Sequence, residues 1–478
     1  MIKDFYMPKF YQGVFCGLIM FLFLLSCSNT LVENVDRNNS YKYQPGHPEL
    51  RVVTSSFIDQ SDSTFLNIAS EVIYRSLSFK KRENVFVAKG SIDIEIEDIE
   101  DEYDRRKVYQ FPVEIKDQDF DLVRSQESYF FQSRFNIEPG KYLVTVTYTD
   151  QETLKSTSRV DEINVPDPQV KTSNTNVPDI RVLVKESRQS EFKPVTTYDI
   201  PNNIDSVKFV FQVTSTNLNK PLIVRSRLVK FESDTTEARL MHYNDYSTGS
   251  LSYKGIDYGE REIISSSRRA LTNTGTVLIE FVFGQLNRGN YRIEIYSEEE
   301  DGFYKAHDFG IKSPNYPTLK TPRELAAPLV YLMRKKDHEA LMNIQDEDSM
   351  KKEIDRFWLT NVKNKNLARS TLELYYSRVE EANKQFSNFK EGWKTDYGMI
   401  YIFFGSPWNV EYYLDEVRWG YSYNSNDQEK NFYFTRTKIK NDYFPFDNYV
   451  LMRSNFYYNI QYERIQLWLN GTILKSNI

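Results

Sequence analysis

The sequence of 478 residues contains few cysteines, few glycines and no excess of basic residues. Its two cysteines, Cys16 and Cys27, lie close to the N-terminus, so a chain cleaved before Cys27 contains no disulfide. Lys and Arg number 61 against 67 Asp and Glu, a formal net charge of -6, which does not suit a phosphate backbone as partner. The composition therefore excludes a disulfide framework and disfavours nucleic acid.

Glycine supplies only 18 residues, which disfavours the glycine-rich loops that hold phosphates. Tyr (34) and Phe (32) are abundant instead, and aromatic residues favour strands. At roughly 150 residues per domain, the length predicts about three domains.

The N-terminus has the pattern of a targeting segment. Lys3 and Lys9 precede GVFCGLIMFLFLLS, an apolar stretch that ends at Ser26 and is shorter than the roughly 20 residues of a spanning helix. The stretch ends in Leu-Leu-Ser-Cys27, which resembles the lipobox of bacterial lipoproteins. The resemblance implies a signal peptide over residues 1–26 and an acylated Cys27, whereas the alternative is an ordinary thiol.

The acyl chains implied at Cys27 predict the location of the protein. Two or more acyl chains, each gaining about 0.8 kcal/mol per buried methylene, anchor a protein stably to a membrane. We therefore predict a lipid-anchored protein of a Gram-negative outer membrane that faces the periplasm, with surface exposure as the alternative. The polar residues that follow predict a flexible tether, so residues 27–47 comprise the lipidated cysteine and its linker.

A weak internal repeat organises the first two thirds of the chain. IEPGKYLVTV and LNRGNYRIEI share a Gly, then a Tyr, then alternating aliphatic residues. Both resemble the late strand of immunoglobulin-like sandwiches, in which a Tyr hydroxyl, here of Tyr142 and Tyr291, fixes a loop. Together with the proline-rich VPDPQ and SPNYPTLKTP, the repeat predicts two tandem sandwiches at residues 48–166 and 167–313.

The stretch SIDIEIEDIEDEYD contains eight carboxylates between Ile92 and Asp104. Clustered carboxylates suit calcium, but alternating Ile residues also predict a strand with one apolar and one solvated face. No glycine is present to form a tight ligand loop, so the solvated strand is the favoured interpretation, with no metal site.

The chain after residue 313 changes character. Thr321, Pro322 and Glu324 have the form of a capping box, and Pro328 predicts a kink in the helix that they begin. Further helices are predicted over residues 349–359 and 367–389. The region from 314 to 478 is therefore predicted to be α+β.

The stretch EGWKTDYGMIYIFFGSP follows the last of these helices. We expect Gly392 to end the helix in a left-handed conformation, and Thr395 and Asp396 to bond nearby backbone amides. Met399–Phe404 is apolar on both faces, which predicts a buried central strand. The chain then turns at Gly405, Ser406 and Pro407.

This stretch resembles the GWxTD domain, a family of bacterial envelope proteins whose name records a motif and not an activity. The resemblance covers roughly the last third of the chain and extends to EVRWGYSY, NFYFTR and FPFDNYVLMR, which are similar to the family's later strands. The usual Gly-Pro-Pro is Gly-Ser-Pro here, and Trp408 and Asn409 replace the charged residues that commonly follow. We predict a structural role for the motif residues, which are Gly392, Trp393, Thr395, Asp396, Gly398, Gly405 and Pro407.

The sequence offers little for catalysis. All four histidines precede the motif, so zinc ligation or a histidine-assisted nucleophile would need His338 from the preceding helices. Carboxylate chemistry would need Asp396 together with Glu411, Asp415 or Glu416. We predict no catalytic residue and no cofactor, with a carboxylate-dependent hydrolase as the second alternative.

Aromatic residues are dense near the C-terminus, with 20 between Tyr397 and Tyr458. Most are expected to form the core of a small sheet, but such rings can also stack on a glycan or a peptide. The candidate interaction surface comprises Trp408, Tyr412, Tyr413 and Trp419. The predicted function is a non-catalytic scaffold component of an envelope assembly with a protein partner, and glycan or peptide binding is the first alternative.

Overall fold

The structure is a computed structural model that describes residues 35–36, 43–59, 61–100, 106–123, 125–168, 175–177, 179–215, 220–243, 255–298, 303–424, 426–436 and 448–475. The predicted signal peptide and Cys27 lie outside these residues, as does part of the predicted tether. The described residues from Asp36 onward form one unit. The fold is mainly β, with several sheets and a C-terminal region of helices and strands, which confirms the coarse prediction.

The first part of the chain consists almost entirely of strands with alternating burial. In β5 the side chains of Ile92, Ile94 and Ile96 are buried, as the alternation predicts. The elements are β1 (Val35–Asp36), β2 (Leu50–Ile58), β3 (Thr64–Ile73), β4 (Lys80–Arg82), β5 (Val85–Asp98), β6 (Arg106–Asp117), α1 (Phe120–Val123), β7 (Ser128–Asn136), β8 (Gly140–Asp150) and β9 (Ser156–Val165).

Two sheets enclose the first core. One sheet has the order β2-β3-β7, and in the other β5 pairs with β4, β6 and β8, and β8 pairs with β9. Buried residues of both sheets, such as Leu66 and Val146, belong to one hydrophobic cluster. On the outer face of β5, Arg106 from β6 lies 2.8 Å from Glu95, so the carboxylates within β5 line a solvated strand face as favoured above. Residues 101–105, which hold three of the eight carboxylates, lie outside the described residues.

The second part of the chain has the same construction. Its elements are β10 (Thr175–Asn176), β11 (Arg181–Lys185), β12 (Lys193–Pro194), β13 (Asp199–Ile200), β14 (Ser206–Ser215), β15 (Leu222–Ser233), β16 (Ile256–Leu271), β17 (Gly275–Gly284), β18 (Gly289–Tyr296) and β19 (Tyr304–Ile311). One sheet has the order β19-β18-β15-β16, and in the other β14 pairs with β10, β11 and β17. Phe209 of β14 and Ile293 of β18 meet in the core between them.

The C-terminal part packs helices on a four-stranded antiparallel sheet with the order β20-β21-β22-β23. Its elements are α2 (Pro322–Ala326), α3 (Lys335–Met342), α4 (Glu347–Val362), α5 (Lys365–Phe386), α6 (Asp396–Phe404), β20 (Asn409–Tyr412), β21 (Glu416–Gly420), β22 (Asn431–Arg436), β23 (Tyr449–Leu451) and α7 (Tyr457–Leu469). The capping box is confirmed, because Thr321 accepts the N–H of Glu324 and the Glu324 carboxylate accepts the N–H of Thr321. Pro328 lies in a 3-10 turn, Ala327–Tyr331, that follows α2 directly.

The predicted strand at Met399–Phe404 is wrong, since these residues form most of helix α6. All six side chains are buried, so the segment is apolar on every side and shows no periodicity that separates a strand from a helix. The decisive local signal is Thr395, which caps the helix through its side chain.

Candidate functional site at the Gly392–Asp396 motif

The motif joins helices α5 and α6 through a single 3-10 turn, Gly392–Lys394. The Thr395 hydroxyl donates to the carbonyl oxygen of Gly392 (2.7 Å) and accepts the N–H of Gly398 (3.0 Å). It therefore closes the turn and begins helix α6 at the same time. The prediction that Thr395 bonds nearby backbone groups is confirmed.

The glycines of the motif permit close contact between backbones. A Cβ atom on Gly392 would lie 1.9 Å from the carbonyl oxygen of Ala382, and one on Gly398 would lie 2.0 Å from that of Gly392. The predicted left-handed helix stop at Gly392 is wrong, because α5 ends at Phe386 and the extended residue Ser387 follows it. Glycine is required at position 392 because a Cβ atom would not fit, and not because the backbone has a positive φ.

Trp393 is buried and contributes to the core of the domain. Its ring meets Tyr331 edge to face at 6.1 Å between centroids, and its backbone N–H donates to the Asn383 side-chain oxygen of α5 at 3.2 Å. The Tyr331 hydroxyl in turn donates to the carbonyl oxygen of Trp393 at 2.8 Å. The tryptophan thus connects the 3-10 turn to two other segments of the domain.

Asp396 forms a buried ion pair with Arg453. Arg453 donates to both carboxylate oxygens, at 2.7 Å and 2.8 Å, and the N–H of Leu451 donates to Oδ2 at 2.7 Å. Burial alone would raise the pKa of Asp396, but the Arg453 guanidinium and the Leu451 amide hold it below its ordinary value. Asp396 therefore links α6 to β23, which corrects its prediction as a local turn residue.

Of the carboxylates considered for a hydrolase, Asp396 and Glu411 bond to different arginines. Asp396 is neutralised by Arg453, while Glu411 accepts hydrogen bonds from Arg418 at 2.8 Å and from the Tyr413 hydroxyl at 2.7 Å. Asp415 and Glu416 lie at the β20–β21 hairpin, where the N–H of Tyr413 donates to the Glu416 carbonyl. The geometry gives no support to an acid and base pair centred on Asp396.

Gly405 and Pro407 end helix α6. Gly405 has a φ of 80°, and its carbonyl oxygen accepts the Tyr421 hydroxyl at 2.7 Å. A Cβ atom at Gly405 would also approach the Arg378 guanidinium to 3.0 Å. The positive φ that we expected at Gly392 therefore occurs at Gly405, with ψ of -156°, and Pro407 turns the chain towards β20.

The four predicted surface aromatics divide into two groups. Trp408, Tyr412 and Tyr413 are exposed, by 47%, 79% and 55%. Trp419 is buried and stacks on Tyr397 at 4.7 Å, so it belongs to the core and not to the surface. Sequence reasoning missed Tyr423, which is fully exposed and lies 4.8 Å from the Trp408 ring.

Histidine and metal chemistry have no support near the motif. The His338 imidazole contacts the backbone carbonyls of Ala326 and Ala327 at 3.2 Å and 3.1 Å. In the part of the chain that the structure describes, no three His, Cys, Asp or Glu side chains are grouped as metal ligands.

Two cavities lie in this region. One of about 30 Å³ adjoins Asp396, Lys390 and Arg453, which leaves room for about one water molecule. The other, of about 800 Å³, lies among α3, α4 and α7, and its lining includes Leu341 and Phe357 but no motif residue. Among the described residues, the cavity that adjoins Asp396 is therefore too small for a sugar or a peptide.

The second β part is attached to the motif region by charged side chains. Arg453 donates to the carbonyl oxygens of Arg239 (2.8 Å) and Leu240 (3.1 Å), and Lys390 donates to that of Thr236 at 2.7 Å. In the opposite direction, the buried Lys312 of the second β part donates to the Asn388 carbonyl oxygen, which lies just before the motif, at 2.6 Å. Sequence analysis missed Arg453, which lies two residues after the apolar strand β23.

Met241 reinforces this attachment. It is fully buried within the core of the C-terminal part, although it lies far from that part in the sequence. Its N–H donates to the Gln461 side chain of α7 at 3.0 Å. A segment of the second β part thus completes the core of the C-terminal part.

The arrangement defines a mainly β protein whose C-terminal α+β region is built around a buried motif. A family model described as GWxTD domain matches residues 289–470. The chain is a GWxTD domain-containing protein, which confirms the resemblance found in the sequence. The match begins within the second β part, at the start of β18. No curated protein matches the chain.

Three solved structures share a distant likeness with the chain. They are red sea bream transglutaminase (8% identity, TM-score 0.19, 56% of this chain and 31% of that chain), Salmonella alpha-2-macroglobulin reacted with methylamine (12%, 0.18, 58% and 17%), and E. coli alpha-2-macroglobulin in its native conformation (11%, 0.18, 56% and 16%). The chain spans less than a third of each of these proteins. Such low TM-scores carry no argument about function.

Among the described residues, no helix is both long enough and apolar enough to cross a membrane.

Proposed function

We propose that the protein is an outer-membrane lipoprotein, anchored through Cys27, that acts as a non-catalytic scaffold in a bacterial envelope assembly and faces the periplasm. The anchor and location rest on the Leu-Leu-Ser-Cys27 sequence behind its apolar stretch. The scaffold role rests on the use of the motif's polar groups, above all the pairing of Asp396 with Arg453.

The polar groups of the motif bond to other groups within the protein, which supports a structural role. A catalytic carboxylate needs access to substrate and a pKa suited to proton transfer. Asp396 is buried, its pKa is held low by a guanidinium, and the adjoining cavity of about 30 Å³ has no room for a sugar or peptide. The same contacts hold a β part and an α+β part in one body, as a scaffold requires.

We also propose that the two β parts are immunoglobulin-like sandwiches, a fold that commonly serves binding. The Tyr142 hydroxyl donates to the Glu138 carbonyl at 3.0 Å, and the Tyr291 hydroxyl donates to that of Asn287 at 2.7 Å. Both bonds span four residues at the start of a late strand, which is the position of the tyrosine corner in such sandwiches. Gly140 and Gly289 begin the two strands with φ near 155°, so the repeated positions share a backbone conformation.

An exposed group of aromatic side chains favours an interaction surface. Trp408, Tyr412, Tyr413 and Tyr423 all lie at or beside the β20–β21 hairpin. Tyr and Trp rings supply much contact area at low cost in conformational entropy, and exposed groups of them are typical of binding sites. We propose this aromatic surface as the partner site, with glycan or peptide binding as the second candidate that the same rings favour.

Affinity purification of the lipidated full chain, followed by mass spectrometry, tests this proposal. A stoichiometric envelope protein that is lost from Cys27→Ala and from the double variant Trp408→Ala/Tyr412→Ala would support it. Phe120→Ala removes a similarly exposed ring from the first β part and should retain the partner. Hydrolysis of peptidoglycan or polysaccharide by the purified chain, abolished by one carboxylate substitution, would overturn it.

The second candidate needs a separate measurement. Binding of a glycan to the purified chain without turnover, weakened by Trp408→Ala/Tyr412→Ala but not by Phe120→Ala, would favour the glycan-binding function. Absence of glycan binding together with recovery of a protein partner would favour the scaffold.

A further inference from the structure

Strand β16 (Ile256–Leu271) forms the end of its sheet. It is 16 residues long and pairs with β15 from Leu271 back to Ile256. Within the described residues, no strand pairs with its other edge. A long free edge presents unpaired N–H and C=O groups that can accept a further strand.

The strand is also exposed on both faces over most of its length. Residues 259–264 and 268–270 are all exposed, including Ile263 (54%) and Ile264 (39%). Neither proline nor lysine, two residues that commonly protect an edge, occurs in the strand. The pairing with β15 is interrupted twice, by one extra residue at Ile264 and by three extra residues at 258–260, so the register is continuous between Arg261 and Ile263 and from Ser265 to Leu271.

The charges of β16 are arranged so that the strand complements itself. Glu262 precedes the centre of the strand, whereas Arg268 and Arg269 follow it. Arg261, the residue before Glu262, lies 3.6 Å from the Glu294 carboxylate of β18 within the same chain. Glu262 pairs with Lys230 of β15 and Arg269 pairs with Val224, six residues away. An even separation along β15 places Glu262 and Arg269 on the same face of the sheet.

We propose that β16 pairs antiparallel with β16 of a second copy of this chain, about a two-fold axis beside Ser266. With Ile264 as the extra residue, this register sets Ser265 opposite Ser267, Arg268 opposite Ile263, and Arg269 opposite Glu262. The two-fold axis produces the Glu262–Arg269 pair twice, and no arginine faces another arginine. The proposal concerns self-association and does not depend on the proposed scaffold function.

A single cysteine at the axis tests the pairing directly. Residues directly opposite each other in an antiparallel pair have Cα atoms about 4.5–5.5 Å apart, within the range of about 4.4–6.8 Å that a disulfide spans. In a full chain whose Cys16 and Cys27 are replaced by serine, Ser266→Cys should therefore form a disulfide-linked dimer on mild oxidation. Val282→Cys, on the exposed edge strand β17 of the other sheet, is the matched control. Equal crosslinking of both variants, or none by Ser266→Cys, would overturn the proposal.

Charge reversal tests the register. Glu262→Arg and Arg269→Glu should each raise the dimer dissociation constant about tenfold in analytical ultracentrifugation, because each variant brings like charges together twice. The double variant exchanges the charges and should restore dimerisation. A dimer that neither single reversal weakens would contradict the register, and a chain that stays monomeric at all concentrations would contradict the pairing.

Discussion

Asp396 and Arg453 form a buried, two-pronged ion pair that connects the start of helix α6 to the end of strand β23. The Arg453 side chain is 3% exposed, and it also bonds the backbone of Arg239 and Leu240 in the second β part. The aspartate of the motif therefore positions an arginine that holds two parts of the protein together. Removal of either charge would leave the other buried without its partner.

Acid should destabilise the protein through Glu391, the residue before the motif. Burial opposes its charge, but Lys394 at 3.0 Å and Arg288 lower its pKa from 4.5 to about 2. Because the folded-state pKa lies below the unfolded one, this stability is complete above about pH 4.5 and is lost as the pH falls towards 2.

Glu391→Gln tests this pH dependence. The substitution should lower the free energy of unfolding at pH 7 by about 3 kcal/mol and flatten its decline between pH 4.5 and 2, as measured by urea titration. Some decline should remain, because the pKa of Asp396 is also lowered. Glu353→Gln removes a carboxylate from a surface pair with Arg356 and should leave the curve unchanged. If the free energy of unfolding of Glu391→Gln falls as steeply between pH 4.5 and 2 as that of the unsubstituted protein, Glu391 is not the source of the pH dependence.

Gly392→Ala should destabilise the fold by about 3 kcal/mol or more, because its Cβ would overlap the Ala382 carbonyl oxygen. Gly398→Ala should behave similarly, since its Cβ would overlap the carbonyl of Gly392. Gly284→Ala is the control, because no atom lies within 4 Å of its added Cβ. Chemical denaturation of the three variants provides the comparison, and equal stability of all three would show that the close backbone contacts are wrong.

Tyr291→Phe and Tyr142→Phe should each lower the free energy of unfolding by about 1 kcal/mol, because each loses one partly buried hydrogen bond to a carbonyl four residues earlier. Tyr148→Phe makes a matched comparison. The Tyr148 hydroxyl is buried and has no hydrogen-bond partner among the described residues. Its removal should therefore not lower the free energy of unfolding. Thermal unfolding should show a lower unfolding temperature for the first two variants and an unchanged one for Tyr148→Phe. A comparable decrease in Tyr148→Phe would refute the stabilising role of the two hydrogen bonds.

Much of the fold follows from local patterns. Alternation predicted β5, β8 and β18, and the Thr321 capping box predicted the start of α2. These features depend on residues that are close in sequence, where side-chain periodicity and capping determine the structure. The Asp396–Arg453 pair spans 57 residues and joins elements whose proximity no local pattern encodes.

The misassigned segment shows why the motif was harder to predict. Met399–Phe404 is buried on all sides, and for such a segment the hydrophobic pattern fits either a strand or a helix. Recognition of Thr395 as an N-cap would have favoured the helix. The role of Gly392 depended on the backbone of Ala382 in a neighbouring element, which the sequence alone does not place.

The most direct test of a structural motif is the free energy of unfolding of Asp396→Asn, measured by urea titration. The variant should lose about 3–5 kcal/mol, because it leaves the Arg453 charge buried without its counterion. Asp346→Asn at the N-cap of α4 should be nearly neutral, since Asn caps a helix as well as Asp. If Asp396→Asn unfolds as the unsubstituted protein does and yet abolishes cellular function, the motif acts by chemistry, and the scaffold account is wrong.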